Sequence, residues 1–199
     1  MVFTDAEKGT NGAIQVAQAL AEDPKYFMPF QYGNQANPRA HHDGTGEEIV
    51  RDLPSVTHFV AGLGTGGTLT GAGRRLKEHN ADVMVIAAEP ELGELVYGLR
   101  SLDDGYVPAV FDPSILDGKF LVNAGDALRA TRDLLAKEGV FAGISSGAVI
   151  HAARRVAAKL DTGDVVCLLA DGGWKYLSTR AWASDESIAE KSVEETLWW

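Results

Sequence analysis

Two periods of apolar residues alternate along the chain. Apolar side chains recur every three or four positions in residues 12–23 (GAIQVAQALAED), 46–53 (GEEIVRDL), 68–79 (TLTGAGRRLKEH), 123–139 (NAGDALRATRDLLAKEG) and 146–160 (SGAVIHAARRVAAKL), and each stretch predicts a helix. Short apolar runs at residues 2–4 (VFT), 26–30 (YFMPF), 57–62 (THFVAG), 82–89 (DVMVIAAE) and 164–170 (DVVCLLA) predict strands. The later runs are nearly unbroken, as strands covered on both faces are. Their alternation with helices predicts an α/β fold, a mostly parallel sheet with helices on both faces. Residues 91–119 (ELGELVYGLRSLDDGYVPAVFDPSILDGK) interrupt it with scattered glycine and charge, as a lid or the rim of a site does. Beyond Thr179 the chain turns acidic, loses periodicity and ends in LWW.

Composition then acts mainly by exclusion. Of 199 residues, 45% are hydrophobic and 23% charged, enough for one sizeable domain or one domain plus a fragment of another. A formal net charge of -10 opposes a nucleic-acid partner, which needs clustered Lys and Arg. The only cysteine, Cys167, forms no intrachain disulfide and lies in VVCLLA, so a reducing, cytoplasmic setting and a small buried hydrophobe are expected rather than a nucleophile. No run approaches the ~18 consecutive apolar residues of a membrane span, so no membrane partner is expected. His41, His42, His58, His79 and His151 show no metal-ligand spacing.

The candidate chemistry begins at residues 60–73, VAGLGTGGTLTGAG, between a predicted strand and a predicted helix. Gly62, Gly64 and Gly67 fit the G-x-G-x-x-G spacing of a dinucleotide site, with Glu89 where a ribose-binding acid would stand. A second reading takes GTGGT, residues 64–68, as a seat for one compact phosphate. Backbone N–H groups, the Thr65 and Thr68 hydroxyls and the positive end of a helix dipole suit a dianion, and no lysine lies within the turn. Residues 139–149 (GVFAGISSGAV) and 170–179 (ADGGWKYLST) again bring small residues and hydroxyls to helix starts. Three such turns on one sheet edge converge on one crevice.

GTGGT, GISSGA and KYLST, together with FQYGNQANP and TGEEI, resemble the cysteine synthase family of fold type II pyridoxal phosphate enzymes, in order and from Val2 to about Thr179. YGLRSLDDGYVP, DGGWKYLST and the terminal tryptophan look more like its cysteine synthase B branch, which uses O-phosphoserine. The resemblance implies a tryptophan synthase β-like large domain over residues 37–179, the remnant of a smaller domain over 1–36 and a tail over 180–199. It implies pyridoxal 5′-phosphate as cofactor, with its phosphate on Gly64, Thr65, Gly66, Gly67 and Thr68 and its ring nitrogen against Ser145. A neutral hydroxyl there leaves that nitrogen largely unprotonated. Gln31 would lie near the substrate carboxylate, and Arg100 would read the phosphate of phosphoserine in bidentate fashion. Ser145 also reads as a helix N-cap, Gln31 as a solvated strand end and Arg100 as a surface arginine.

The activity so implied is β-replacement on O-phosphoserine or O-acetylserine to give cysteine, with sulfur from sulfide or from a sulfur-carrier protein, by a homodimer. Trp198 and Trp199 could close over the site or form an oligomer contact. Asp171 and Lys175 read better as a cap and a solvated lysine than as an acid and a base. Family members carry the Schiff-base lysine in a segment ahead of the matched region. None of Lys8, Lys25, Lys77, Lys119, Lys137, Lys159, Lys175 and Lys191 falls in a matching motif, so the chain alone is expected to be weakly active or inactive. The competing readings are an NAD-dependent oxidoreductase and a non-catalytic binder of phosphate compounds.

Overall fold

Four parallel strands carry the fold: β1 Val56–Gly62, β2 Met84–Pro90, β3 Gly118–Val122 and β4 Asp164–Cys167, in the order β3-β2-β1-β4. The computed structural model describes residues 1–5 and 8–182. Among the described residues six α-helices accompany the sheet: α1 Gly9–Ala21, α2 Ala36–Ala40, α3 Glu47–Asp52, α4 Gly67–His79, α5 Ala124–Glu138 and α6 Ile144–Ala157. A π-helical turn, His41–Gly46, joins α2 to α3. No helix among the described residues is long and apolar enough to cross a membrane.

Side chains alternate across a strand, so an unbroken apolar run feeds two cores. Phe59, Ala61, Val85 and Ala87 pack with Leu69, Ala72 and Leu76 of α4, and Ile49 and Val50 of α3 join them. Val60, Ile86 and Ala88, on the other face, pack with Leu128 of α5 and Ala148, Val149 and Ala152 of α6. The expected helices on both faces are therefore present. α1 contributes to neither layer.

Two helix contacts are close enough to require glycine. A Cβ on Gly147 would collide with Ala127 O and Thr131 Oγ1 of α5, and one on Gly71 of α4 with Pro38 O of α2. The Asn123 side chain caps α5 by accepting from Asp126 N at 2.8 Å, and Gly139 closes that helix at φ +70°.

Three sequence expectations need correction. Residues 2–4 and 26–30 form no strand: neither finds a strand to pair with, and Phe30 takes φ +46°, a turn conformation. Residues 91–119 are not one unbroken connection, because their last two residues begin β3. That strand alternates half-buried and exposed positions up to the buried Val122, over only five residues at the sheet edge, with Lys119 and Leu121 exposed, and so carries a weak apolar signal. Finally, β4 ends at Cys167: Leu168 N still donates to Val60 O at 3.0 Å, but residues 168–170 are not part of the strand.

Candidate active site

All four strands run the same way, so the loops leaving β1, β2 and β4 gather at their carboxyl ends, where an open α/β sheet forms a crevice. The β1–α4 turn is glycine-dependent: Gly66 sits at φ +80°, and a Cβ there would meet the Phe111 ring. Gly67 leaves room for the Asn37 side chain. Asn37 Nδ2 donates to Thr65 Oγ1 at 3.0 Å and to Gln31 O at 2.8 Å, which ties the turn to residues 30–38. Thr65 Oγ1 also accepts from Gly67 N at 3.2 Å. With two donors already on its oxygen, the Thr65 proton remains available to an acceptor. Thr68 Oγ1 stands 3.1 Å from His41 Nε2, and His41 Nδ1 stands 3.1 Å from Thr45 Oγ1. Burial pushes the His41 pKa below its ordinary value and so favours the neutral ring.

α6 opens beside this turn. Gly143 precedes it without a side-chain cap, as Gly66 does for α4, where Thr65 Oγ1 takes the Gly67 N–H instead. Gly143 N donates to Asp171 O at 2.9 Å and Gly173 N to Phe141 O at 3.0 Å, joining the second and third turns. Ser145, 5% exposed in the first turn of α6, lines a cavity of about 240 Å³ together with Gly64, Thr65, Gly66, Thr68 and Gly98. The three turns therefore converge. Asp171 and Tyr176 complete the wall, with the Tyr176 hydroxyl donating to Asp171 Oδ2 at 2.8 Å. Burial, then that carboxylate, holds the phenol pKa far above its usual value, so Tyr176 stays protonated. Lys175 points outward, 3.5 Å from Asp171.

Gly64, Thr65, Gly98 and Leu99 also border a second cavity of about 570 Å³, whose walls include Lys8, Asn11, Gln31, Tyr32 and Arg100. The long connection therefore does form a rim. Arg100 is tied to the glycine turn by its own N–H, which donates to Leu63 O at 2.9 Å. Its side chain is only 8% exposed, stacked 5.4 Å from the Tyr32 ring and 4.8 Å from the Tyr106 ring. Nε and Nη2 contact Asp104 Oδ2 at 3.2 and 2.8 Å, and Nη2 donates to Asn11 Oδ1 at 2.6 Å. Nη1 is buried and lacks a partner. The edge expected to grip a phosphate in bidentate fashion is thus occupied, and a single nitrogen is left.

Glu89 does not serve a dinucleotide. Fully buried, it accepts from Leu102 N at 2.7 Å and Ser101 Oγ at 3.3 Å, with Lys119 Nζ 2.9 Å away. Cys167 borders neither cavity, and burial raises its thiol pKa. Trp198 and Trp199 lie outside the described residues. Sequence reasoning missed Asn37 and His41. Asn37 sits inside a motif already singled out, whereas nothing in the sequence marks His41 as the neighbour of Thr68.

A profile of the family described as "Pyridoxal-phosphate dependent enzyme" matches residues 1–172. The chain belongs to this family. It is 40% identical over 187 residues to the cysteine synthase of Aquifex aeolicus (strain VF5), covering 90% of this chain and 57% of that protein. It is 36% identical over 180 residues to cysteine synthase B of Salmonella typhimurium (strain LT2), covering 90% and 59%. The crystal structure of O-ureido-L-serine synthase superposes with a TM-score of 0.84 at 36% identity, over 93% of this chain and 62% of that one. The chain thus spans about three fifths of the length of the curated relatives it matches.

The residues present fit the cofactor after which the pyridoxal-phosphate dependent family is named. Gly64, Thr65, Gly66 and Thr68 at the start of α4 and Ser145 in the first turn of α6 line one cavity without a Lys, Arg or His in its wall, which suits a phosphate ester held by dipoles and hydroxyls.

Proposed function

We propose that this chain binds pyridoxal 5′-phosphate for substitution at the β-carbon of an amino acid, with O-phosphoserine as the substrate and cysteine as the product. One observation carries the reading: Ser145 and the turn of residues 64–68 line one cavity, which shares Gly64, Thr65, Gly98 and Leu99 with the larger cavity that holds Gln31 and Arg100. Cysteine and O-ureido-L-serine, the products named for the similar proteins, are both alanines substituted at the β-carbon.

The amides of residues 64–68 and the Thr65 and Thr68 hydroxyls would hold the phosphate, at the positive end of the α4 dipole. Ser145 would face the ring nitrogen as a neutral partner. The bound cofactor supplies an electron sink for charge developing at the substrate α-carbon. Gln31, at the rim, offers an amide donor to the substrate carboxylate without adding charge. Arg100, a wall residue whose Nη1 is buried without a partner, would be the donor for an anionic β-substituent. Tyr32, Tyr106, Asp104 and Asn11 hold the guanidinium in place, so little of its rotamer entropy remains to be lost on binding.

Spectroscopic titration with pyridoxal 5′-phosphate, followed by O-phosphoserine or O-acetylserine, tests the reading. Saturable cofactor binding that weakens in Thr65→Val and Thr68→Val, with a further spectral change at lower O-phosphoserine than O-acetylserine, is expected. Cofactor binding indifferent to both threonines would remove the reading.

A further inference from the structure

Thr68 differs from Thr65 in what stands behind it. Thr65 accepts from two amide donors, whereas Thr68 meets one imidazole nitrogen, His41 Nε2, at 3.1 Å. His41 opens the π-helical turn and Thr45, four residues on, meets its Nδ1 at 3.1 Å. The contact is built by backbone: Gly71 has no room for a Cβ beside Pro38 O and His41 Cβ, and a Cβ on Gly46 would come within 2.7 Å of Arg75 Cβ. These glycines let the widened turn press onto α4, as π-helical segments at functional sites often do.

A neutral imidazole has one N–H and one lone pair. If Nε2 carried the lone pair, the Thr68 hydroxyl would spend its only proton on His41. If Nε2 carries the proton, Thr68 accepts from it and keeps its own proton for the cavity, while the Thr45 hydroxyl donates to Nδ1. An anion in the cavity favours the second arrangement, because only then does Thr68 donate to it. Burial, which keeps the ring neutral, preserves the choice between tautomers.

We infer that His41 is a positioning residue for the phosphate seat: its Nε2–H donates to Thr68 Oγ1 and commits the Thr68 proton to a phosphate ester, while Thr45 fixes the tautomer through Nδ1. The inference rests on residues 64–68 holding that phosphate.

Calorimetric titration with pyridoxine 5′-phosphate and with pyridoxine separates the two claims, since these alcohols form no imine with lysine and differ only in the phosphate. His41→Ala is expected to weaken binding of the ester about fivefold to tenfold, the worth of one hydrogen bond, and to leave pyridoxine unchanged. His41→Gln, whose amide N–H reaches the Nε2 position, is expected to recover most of the loss. The His41→Ala/Thr68→Val double variant should bind the ester no more weakly than Thr68→Val alone. Losses that multiply in the double variant, or equal losses of both ligands in His41→Ala, overturn the role of His41. Preference for the ester lost in Thr68→Val but kept in His41→Ala overturns that role alone. A wild-type chain that binds ester and alcohol equally overturns the phosphate seat and the inference with it.

Discussion

Arg100 could be named from the family resemblance as a charge suited to phosphate, but its environment decides what that charge can do. Asp104 and Asn11 occupy Nε and Nη2, and one buried nitrogen is left without a partner. Arg100→Ala should weaken O-phosphoserine more than O-acetylserine by about tenfold or more, the loss of one hydrogen bond to a charged group, read by competitive spectral titration. Asp104→Asn should shift the preference the other way, since it removes a competing negative charge. Two neighbouring histidines should respond to pH with opposite signs. His41 has its pKa lowered by burial, so the unfolded chain binds more protons, and its contribution is intact above about pH 6.5 and is lost as pH falls through the lowered folded value. His42 has its pKa raised by its hydrogen bonds to Asp43 and Glu78, so its contribution is complete below about pH 6.5 and is lost as pH rises through the raised value. Urea denaturation of His41→Gln and His42→Asn between pH 5 and 8 checks both: wild type should lose ground to His41→Gln on acidification and to His42→Asn on alkalinisation. None of these partners adjoins its histidine in sequence except Asp43, so the signs were not legible there.

At the scale of elements, the long helices and three of the strands were readable because their apolar periods extend over enough residues to stand out. β3 was not, because an edge strand of five residues exposes alternate side chains and borrows its stability from pairing with β2. Residues 26–30 show the converse: a strong apolar, aromatic run remains irregular where no strand lies alongside. Contacts between elements depend on single glycines. Gly147→Ala and Gly71→Ala each place a methyl group against backbone that cannot yield, so each should lower the unfolding free energy by more than about 2 kcal/mol in urea titrations, although alanine is the better helix former. Glu89, first readable as a ribose acid, instead ties the end of β2 to the Ser101 hydroxyl and the Leu102 N–H that follow Arg100. Glu89→Ala should cost about 2 kcal/mol by the same measurement, because it leaves the half-buried Leu102 amide and the buried Ser101 hydroxyl without this acceptor.

For the whole molecule, binding and folding are linked through the crevice at the carboxyl ends of the strands. If residues 64–68 and Ser145 hold the cofactor, pyridoxal 5′-phosphate at one hundred times its dissociation constant should raise the unfolding free energy by about 2.7 kcal/mol, and Thr68→Val should need more ligand for the same shift. The sequence by itself determined the alternation of strand and helix, the doubly covered sheet, and the glycine–hydroxyl turns at the starts of helices, since these follow from period and from local backbone freedom. It did not determine which turns share a cavity, that Glu89 faces inward, that Arg100 has one free nitrogen, or that a histidine 27 positions before Thr68 stands behind its hydroxyl. Those facts depend on strand order and on how closely helices approach, and both are settled by packing among residues far apart in the chain.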